Sequence, residues 1–142
     1  MSRIVSFRGL IADDGIDTIL LHTNDGSIGY RIVKFKLFPN VPNVNQSSLA
    51  SIFKVEPTAA LPTADFQDNR MVASALYTSR ESNFNSDLNV IFDNEIFNQD
   101  IYVTHVDING TRSINYYIEL EQMDLALDEN TVATLKDIRN QA

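Results

Sequence analysis

The 142-residue sequence contains no cysteine and no tryptophan, and only five glycines and four prolines. The lack of cysteine excludes disulfide frameworks, zinc ribbons, iron–sulfur ligation and thiol catalysis. Apolar runs such as residues 19–21 are far shorter than the roughly 20 residues that a membrane-spanning helix needs. The residues after Met1 also lack the apolar core of a signal peptide. We therefore expect a soluble protein, made in a cytoplasm, whose core forms without cross-links.

The remaining composition is typical of an ordinary globular domain. Hydrophobic residues make up 44% of the chain and charged residues 21%. A domain near this size removes roughly 68% of its unfolded surface from water, so a substantial core is expected. Because no repeat or low-complexity linker interrupts the sequence, residues 1–142 are predicted to form a single domain.

Acidic residues outnumber basic ones, with 19 Asp and Glu against 11 Lys and Arg, which argues against nucleic acid as the main partner. Residues 1–40 hold five basic and four acidic residues, a net +1, which leaves six basic and fifteen acidic residues, a net −9, over residues 41–142. One interpretation is a basic patch that docks on an acidic neighbour, such as another copy of the chain. The other is that these cations only occupy the polar face of an early strand.

Alternation of apolar and polar residues predicts about eight β-strands. They are expected at residues 3–11, 17–23, 30–38, 49–55, 71–78, 88–92, 99–108 and 113–125. In the third of these strands, Val33, Phe35 and Leu37 are predicted to face the core. Residues 39–47 and 79–87 are predicted loops, and Pro57 and Pro62 mark a further irregular stretch.

Residues 113–125 show the clearest alternation in the chain. The side chains predicted to face inward are Ile114, Tyr116, Ile118 and Leu120, and those predicted to face outward are Asn115, Tyr117, Glu119 and Glu121. The preceding Asn109-Gly110 is the most specific hairpin signal in the sequence and predicts that this strand pairs with residues 99–108.

The order of elements predicts an all-β fold. No helical segment is long enough for crossovers between parallel strands, so an antiparallel β-sandwich or barrel is expected, with a jelly roll as the preferred topology. The tail at residues 128–142 is compatible with a short amphipathic helix, because Val132, Leu135 and Ile138 are three residues apart, and a terminal strand is the competing interpretation.

The sequence contains no motif for catalysis, a cofactor or a metal. Its two histidines, His22 and His105, stand alone in predicted strands without further ligands at metal-binding spacing. Residues 107–110 resemble the start of a calcium loop, but the twelfth position is Ile118 instead of a glutamate. The carboxylates and carbonyls of the turn at residues 13–17 could coordinate a calcium ion, but a solvated turn is the preferred interpretation. No serine lies in a nucleophile-elbow motif. We predict a protein that is not an enzyme; a deep pocket around either histidine with converging carboxylates would contradict this.

Two tyrosines are candidates for a contact surface. Tyr102 and Tyr117 fall on the opposite register from their strongest apolar neighbours, so they are interpreted as interface residues, as half-buried sheet residues or as part of a sugar-binding platform. The predicted interface residues are Arg31, Lys34, Lys36, Tyr102 and Tyr117.

Three segments resemble a group of small virion structural proteins of marine bacteriophages. They are residues 21–35 (LHTNDGSIGYRIVKF), 97–104 (FNQDIYVT) and 114–121 (INYYIELE), and the similarity extends to residues 131–140. The resemblance implies no cofactor and no active-site residues. It implies a protein of the virion, made in the host cytoplasm, which binds copies of itself and a major capsid or other virion protein, but neither nucleic acid nor membrane.

Within that group, the expected role is a cement or decoration subunit of the head, or a small jelly-roll capsid protein. The alternative is a receptor- or glycan-binding module of a tail or fibre. If the basic strand docks on an acidic neighbour, reversal of Lys34 and Lys36 to glutamate should weaken incorporation into particles in a salt-dependent manner.

Overall fold

The computed structural model describes residues 2–23, 26–42, 44–80 and 85–125. These residues form eight β-strands and no helix, which confirms the predicted all-β class. The strands are β1 (Ser2–Ile11), β2 (Ile16–Ile19), β3 (Ile28–Pro39), β4 (Gln46–Phe53), β5 (Met71–Arg80), β6 (Asn85–Phe92), β7 (Ile101–Asp107) and β8 (Ile114–Asp124). The helix considered for residues 128–142 lies outside the described residues.

The strands form two antiparallel sheets that pack as a β-sandwich. One sheet has the order β1-β8-β3 and the other the order β2-β7-β4-β5-β6, and side chains from both sheets share one hydrophobic cluster that includes Phe35, Ile52 and Ile118. The pairs β1 with β8, β2 with β7 and β4 with β5 are the nested pairs of a jelly roll. Because β6 pairs with β5, the first sheet keeps three strands and β3 lies at its edge.

The Asn109-Gly110 turn does not close a hairpin, so that prediction was wrong. It joins β7 in the five-stranded sheet to β8 in the three-stranded sheet. The Asp107 carboxylate shapes the connection by accepting hydrogen bonds from the backbone N–H groups of Asn109 (3.1 Å) and Arg112 (2.9 Å). A turn sequence specifies local backbone geometry but does not specify which strands pair afterwards.

A β-bulge changes which side chains of β3 face the core. The pairing of β3 with β8 shifts register between Ile32 and Lys34, because the extra residue of a bulge interrupts the alternation of the strand. As a result, Ile32 and Phe35 are both fully buried, whereas Val33 is only half-buried. The prediction was therefore correct for Phe35 and Leu37 and wrong for Val33.

Several strand ends differ from the prediction. The loop expected at residues 79–87 is shorter, because β5 continues to Arg80 and β6 begins at Asn85. β4 begins at Gln46 instead of residue 49, and β2 ends at Ile19, before the predicted end at residue 23. In β8, the predicted alternation of buried and less buried residues is confirmed from Ile114 to Leu120.

An irregular segment covers the outer face of the five-stranded sheet. Residues 55–70, here called the cover segment, line a small cavity of about 110 Å³ together with Ser51 and Thr104 on that face. Ser51 and Thr104 are buried, and the Ser51 hydroxyl lies 3.2 Å from that of Ser74. The five-stranded sheet is thus packed on both faces at its centre. On the outer face of the three-stranded sheet, Ile96 and Leu125 lie close to Gly29 at one end, whereas Leu10 and Phe38 at the other end are exposed to solvent.

Candidate interaction surface

The outer face of the three-stranded sheet carries four rows of side chains, each row crossing β1, β8 and β3. Residues paired in an antiparallel sheet project to the same side, so the register defines the rows. In order along the sheet they are Ile4, Glu121 and Arg31; Ser6, Glu119 and Lys34; Arg8, Tyr117 and Lys36; and Leu10, Asn115 and Phe38.

In the first two rows, the basic residues of β3 are paired with carboxylates of the same chain. Arg31 Nε lies 2.6 Å from Glu121 Oε1, and Lys34 Nζ lies 4.0 Å from Glu119 Oε2. Exposed pairs of this kind contribute little to stability, but they neutralise the charge that a partner would meet. Arg31 and Lys34 are therefore weaker candidates for binding an acidic neighbour than the sequence indicated.

In the third row, two cations stand on either side of an aromatic ring. Neither Arg8 nor Lys36 forms an ion pair with any residue that the structure describes. Between them, the Tyr117 hydroxyl donates a 2.7 Å hydrogen bond to Glu119. This bond is the main cause of the raised pKa of Tyr117, and the nearby Arg8 charge acts in the opposite direction. The row therefore presents positive charge beside a neutral phenol.

The third and fourth rows together form a shallow depression, here called the outer groove. It has a volume of about 510 Å³ and includes the side chains of Arg8, Leu10, Lys36, Phe38, Asn115 and Tyr117 among its lining. Its apolar walls are open to solvent, since Leu10 is 51% and Phe38 67% exposed. An exposed apolar surface with polar groups at its margin is characteristic of a site for protein or ligand contact.

The five predicted interface residues do not form one patch. Arg31, Lys34, Lys36 and Tyr117 share the outer face of the three-stranded sheet, but Tyr102 lies on the outer face of the five-stranded sheet, paired with Thr18 and Phe53. Burial, followed by the charges of Asp100 and Glu56, raises the pKa of Tyr102. Tyr102 and Tyr117 are thus on opposite sides of the sandwich.

The predicted interface residues do not include four members of the two rows that form the outer groove, namely Arg8, Leu10, Asn115 and Phe38. Alternation within residues 3–11 does place Arg8 and Leu10 on one face. Their proximity to Lys36 and Phe38, however, depends on β8 pairing with β1 on one side and β3 on the other. No local signal in the sequence carries this information.

A buried polar network lies at one end of the core. His105 Nδ1 is 3.1 Å from the Ala12 carbonyl, and Nε2 is 2.9 Å from the Ser48 hydroxyl. The carbonyl can only accept, so Nδ1 carries a hydrogen, and in the neutral ring Nε2 then accepts the Ser48 hydroxyl hydrogen. Ser48 Oγ also accepts a 2.9 Å hydrogen bond from Gln46 Nε2. The three side chains form a continuous chain of donors and acceptors.

This serine–histidine contact resembles part of a catalytic triad, but its surroundings differ. Ser48 and His105 are both 0% exposed, so a substrate has no access to either group. The partner of Nδ1 is a backbone carbonyl, where a triad has a carboxylate that stabilises the protonated ring. The arrangement gives the Ser48 hydroxyl and both ring nitrogens of His105 hydrogen-bond partners and holds the turn after β1 against β7.

His22 forms a more exposed contact. Its Nδ1 lies 2.7 Å from Asp100 Oδ1, which also accepts hydrogen bonds from the backbone N–H groups of Leu21 (2.8 Å) and His22 (3.0 Å). Burial acts to raise the pKa of Asp100, but the hydrogen bonds from His22 and Leu21 outweigh it and hold the pKa below its ordinary value. The contact fixes the segment after β2 beside the start of β7.

The acidic turns considered as calcium loops use their oxygens within the protein. Asp13 Oδ1 accepts a 2.7 Å hydrogen bond from the Asp107 backbone N–H, and the Asp107 carboxylate binds the backbone of its own turn. In the described part of the chain, no three His, Asp or Glu side chains are grouped so that they could hold a metal ion. The same part of the chain contains no helix of the length and apolarity needed to cross a membrane.

A scan against protein-family models finds no match for this chain, and neither does a search of the curated proteins. The resemblance to phage virion proteins therefore stays a prediction. A proposal for function has to be supported by the sandwich and by the geometry of its surface.

Proposed function

We propose that this chain is a structural protein of a bacteriophage virion, either a cement or decoration subunit of the head or a small jelly-roll capsid protein. It stabilises the shell through repeated contacts with copies of itself and with a major capsid or other virion protein. The observation that carries the proposal is the outer groove, where unpaired cations and exposed apolar side chains lie on an exposed part of the three-stranded sheet.

The composition of the outer groove supports protein contact. Leu10 and Phe38 offer apolar area that is unfavourable in water, and Tyr117 is of a residue type enriched at interfaces. Arg8 and Lys36 provide positive charge on a chain whose net charge is −8, so an acidic neighbour is favoured. In a symmetric assembly one such contact is repeated in every subunit, and modest energies add to a large stabilisation of the shell.

The nested strand pairing gives weaker support. Jelly-roll sandwiches occur in viral capsid proteins, but also in lectins and in enzymes of the cupin type. A fold shared by unrelated functions does not identify one of them. For this reason the surface carries more weight than the topology.

The test is to locate and count the chain in purified virions of the phage that encodes it. Quantitative mass spectrometry and a map of the intact particle should find many copies at symmetry-related positions on the head. Lys36→Glu should reduce incorporation, more strongly at low salt than at high salt. Arg80→Glu, a reversal of the same charge on an exposed side chain at the end of β5, is the matched control. Absence of the chain from the particles, or equal incorporation of both variants, would contradict the proposal.

The second candidate is a receptor- or glycan-binding module of a tail or fibre. It is favoured by the adjacent Asn115 amide and Tyr117 ring in the outer groove, since aromatic rings and amides are common in sugar sites. A handful of copies per particle, located at the tail, would support this function over a role in the head.

A further inference from the structure

We propose that the outer groove binds the cover segment of a second copy of this chain, with the exposed Phe66 ring as the anchor. The inference deepens the proposed function, on which it rests for its biological setting, by naming a partner and two surfaces.

The cover segment presents one aromatic side chain in a well-defined turn. Phe66 is 66% exposed, although it belongs to a residue type that is usually buried. The Asp65 carboxylate accepts a 3.0 Å hydrogen bond from the Gln67 backbone N–H, and the Asp65 carbonyl accepts another from Asp68. These bonds fix the backbone on both sides of Phe66. The residues from Asp65 to Asp68 are called the Phe66 turn below.

The charge of the Phe66 turn is also suited to the outer groove. Asp68 is held by Arg70, whose Nε lies 2.9 Å from Asp68 Oδ1. Asp65 has no cationic partner among the described residues, so its negative charge is uncompensated. It stands next to Phe66 in the sequence, just as unpaired cations stand next to the apolar walls of the outer groove.

The two surfaces complement each other in apolar character and charge. The Phe66 ring would lie between Leu10 and Phe38, and Asp65 would approach Lys36 or Arg8. A central aromatic anchor surrounded by polar contacts is the usual anatomy of an energetically dominant interface site. Attraction between unpaired opposite charges would in addition fix the orientation of the two copies.

The positions of the two surfaces determine the kind of assembly. The outer groove is on the outside of the three-stranded sheet, and the cover segment is on the outside of the five-stranded sheet. A copy therefore cannot fill its own groove, and a pair of copies still has one free groove and one free Phe66 turn. Such heterologous contacts build rings or open rows of subunits, as repeated shell contacts require.

The experiment uses the purified full-length chain and sedimentation velocity over a range of protein and salt concentrations. The wild-type chain should self-associate, and Phe66→Ser and Lys36→Glu should each weaken the association at least about tenfold. Leu20→Ser, which also removes an exposed apolar side chain, is the matched control and should leave association unchanged. Circular dichroism spectra of all variants establish that the fold is retained.

A mixture of the two variants tests the heterologous geometry directly. Phe66→Ser retains an intact groove and Lys36→Glu retains an intact Phe66 turn, so together they should form a one-to-one pair that does not grow further. A wild-type chain that stays monomeric would overturn the inference, and so would variants that associate normally or a mixture that forms no pair. If such a chain were nevertheless found in virions, the docking would be refuted and the proposed function would stand. If the chain associated through Phe66 but were absent from virions, the docking would stand and the proposed function would be refuted.

Discussion

The two sheets of the sandwich differ in where they place their polar side chains. The five-stranded sheet encloses them: Ser48 and His105 face the core, and Ser51 lies beneath the cover segment. The three-stranded sheet keeps them outside, where Arg31 and Glu121 form a pair that is partly exposed to solvent. One sheet thus uses polar groups inside the fold, and the other presents them on a surface.

This difference predicts where the molecule is sensitive to substitution. A buried polar group that loses its partner cannot recover a hydrogen bond from water, so its loss is costly. An exposed group is rehydrated at once. Substitutions of buried polar groups in and beside the five-stranded sheet should therefore affect stability, and substitutions of exposed groups on the outer face of the three-stranded sheet should affect association instead. The predictions below test this contrast, beginning with the largest effect.

The largest effect is expected for Lys54, which follows β4. Its ammonium lies 2.7 Å from Glu95 Oε1, and its side chain is 1% exposed. Lys54→Met removes the cation and leaves the carboxylate of Glu95 in a largely enclosed site without a charged partner. The free energy of unfolding should fall by about 3 kcal/mol, which chemical denaturation would measure.

The double variant Lys54→Met/Glu95→Leu is the control for this prediction. Replacement of both members of a buried ion pair by apolar residues is often neutral, so the double variant should recover much of the loss. A single variant as stable as the wild type would show that the pair is effectively solvated. Burial of this pair beside the five-stranded sheet would then not make the fold sensitive to its loss.

Ser48→Ala should have the next largest effect. It removes both the hydrogen that His105 Nε2 accepts and the oxygen that Gln46 Nε2 donates to. Since these groups are buried, we expect a loss of roughly 1–3 kcal/mol in the free energy of unfolding. Ser6→Ala, on the exposed face of β1, is the matched control and should change stability by no more than about 0.5 kcal/mol. Equal effects of the two substitutions would refute the prediction.

Tyr116 connects the sheets and should give a pH-dependent effect. Its hydroxyl donates a 3.1 Å hydrogen bond to Asp17 Oδ2 on β2. Burial, followed by the charge and hydrogen bond of Asp17, raises the pKa of Tyr116 from 10.0 to about 12. Because the folded-state pKa is raised, the neutral phenol stabilises the fold fully below pH 10, and this contribution is lost as the pH rises toward 12.

Tyr116→Phe should therefore cost about 1 kcal/mol near neutral pH. The difference in unfolding free energy between wild type and variant should shrink between pH 10 and pH 12. Denaturation curves over this range, with phenolate absorbance as an independent measure of ionisation, would check it. A difference that stays constant across the range would mean that Tyr116 titrates normally in the folded state.

The parts of the fold that the sequence predicted are those that depend on local alternation. In β8, Ile118 and Leu120 face the core and Glu119 faces outward, because side-chain direction follows from a period of two residues. The bulge beside Val33 shifts that period by one residue, and nothing in the neighbouring residue types announces it. Local patterns therefore located the strands but not their irregularities.

Long-range pairing was not predictable from these patterns. Asn109-Gly110 has the composition of a hairpin turn, yet it carries the chain from one sheet to the other. Nothing in the local sequence distinguishes Lys54 from a solvated lysine, because its charged partner, Glu95, is distant in the sequence. The outer groove likewise exists only because β8 pairs with both β1 and β3 and so brings Arg8 and Lys36 to either side of Tyr117. The candidate site depends on the order of the strands in the sheet. The alternation of apolar and polar residues in a single sequence does not predict that order.

Apart from the control Ser6→Ala, Arg31→Ala should have the smallest effect on stability among these substitutions. Arg31 Nε lies 2.6 Å from Glu121, but the Arg31 side chain is 41% exposed, and double-mutant cycles on such pairs give roughly 0.2–1 kcal/mol. Most of that energy should disappear in 1 M salt, where the screening length is about 3 Å. Chemical denaturation at low and high salt would measure both quantities. A loss as large as that of Lys54→Met, insensitive to salt, would mean that the three-stranded sheet depends on its outer face for stability and that this face is not free to serve a partner.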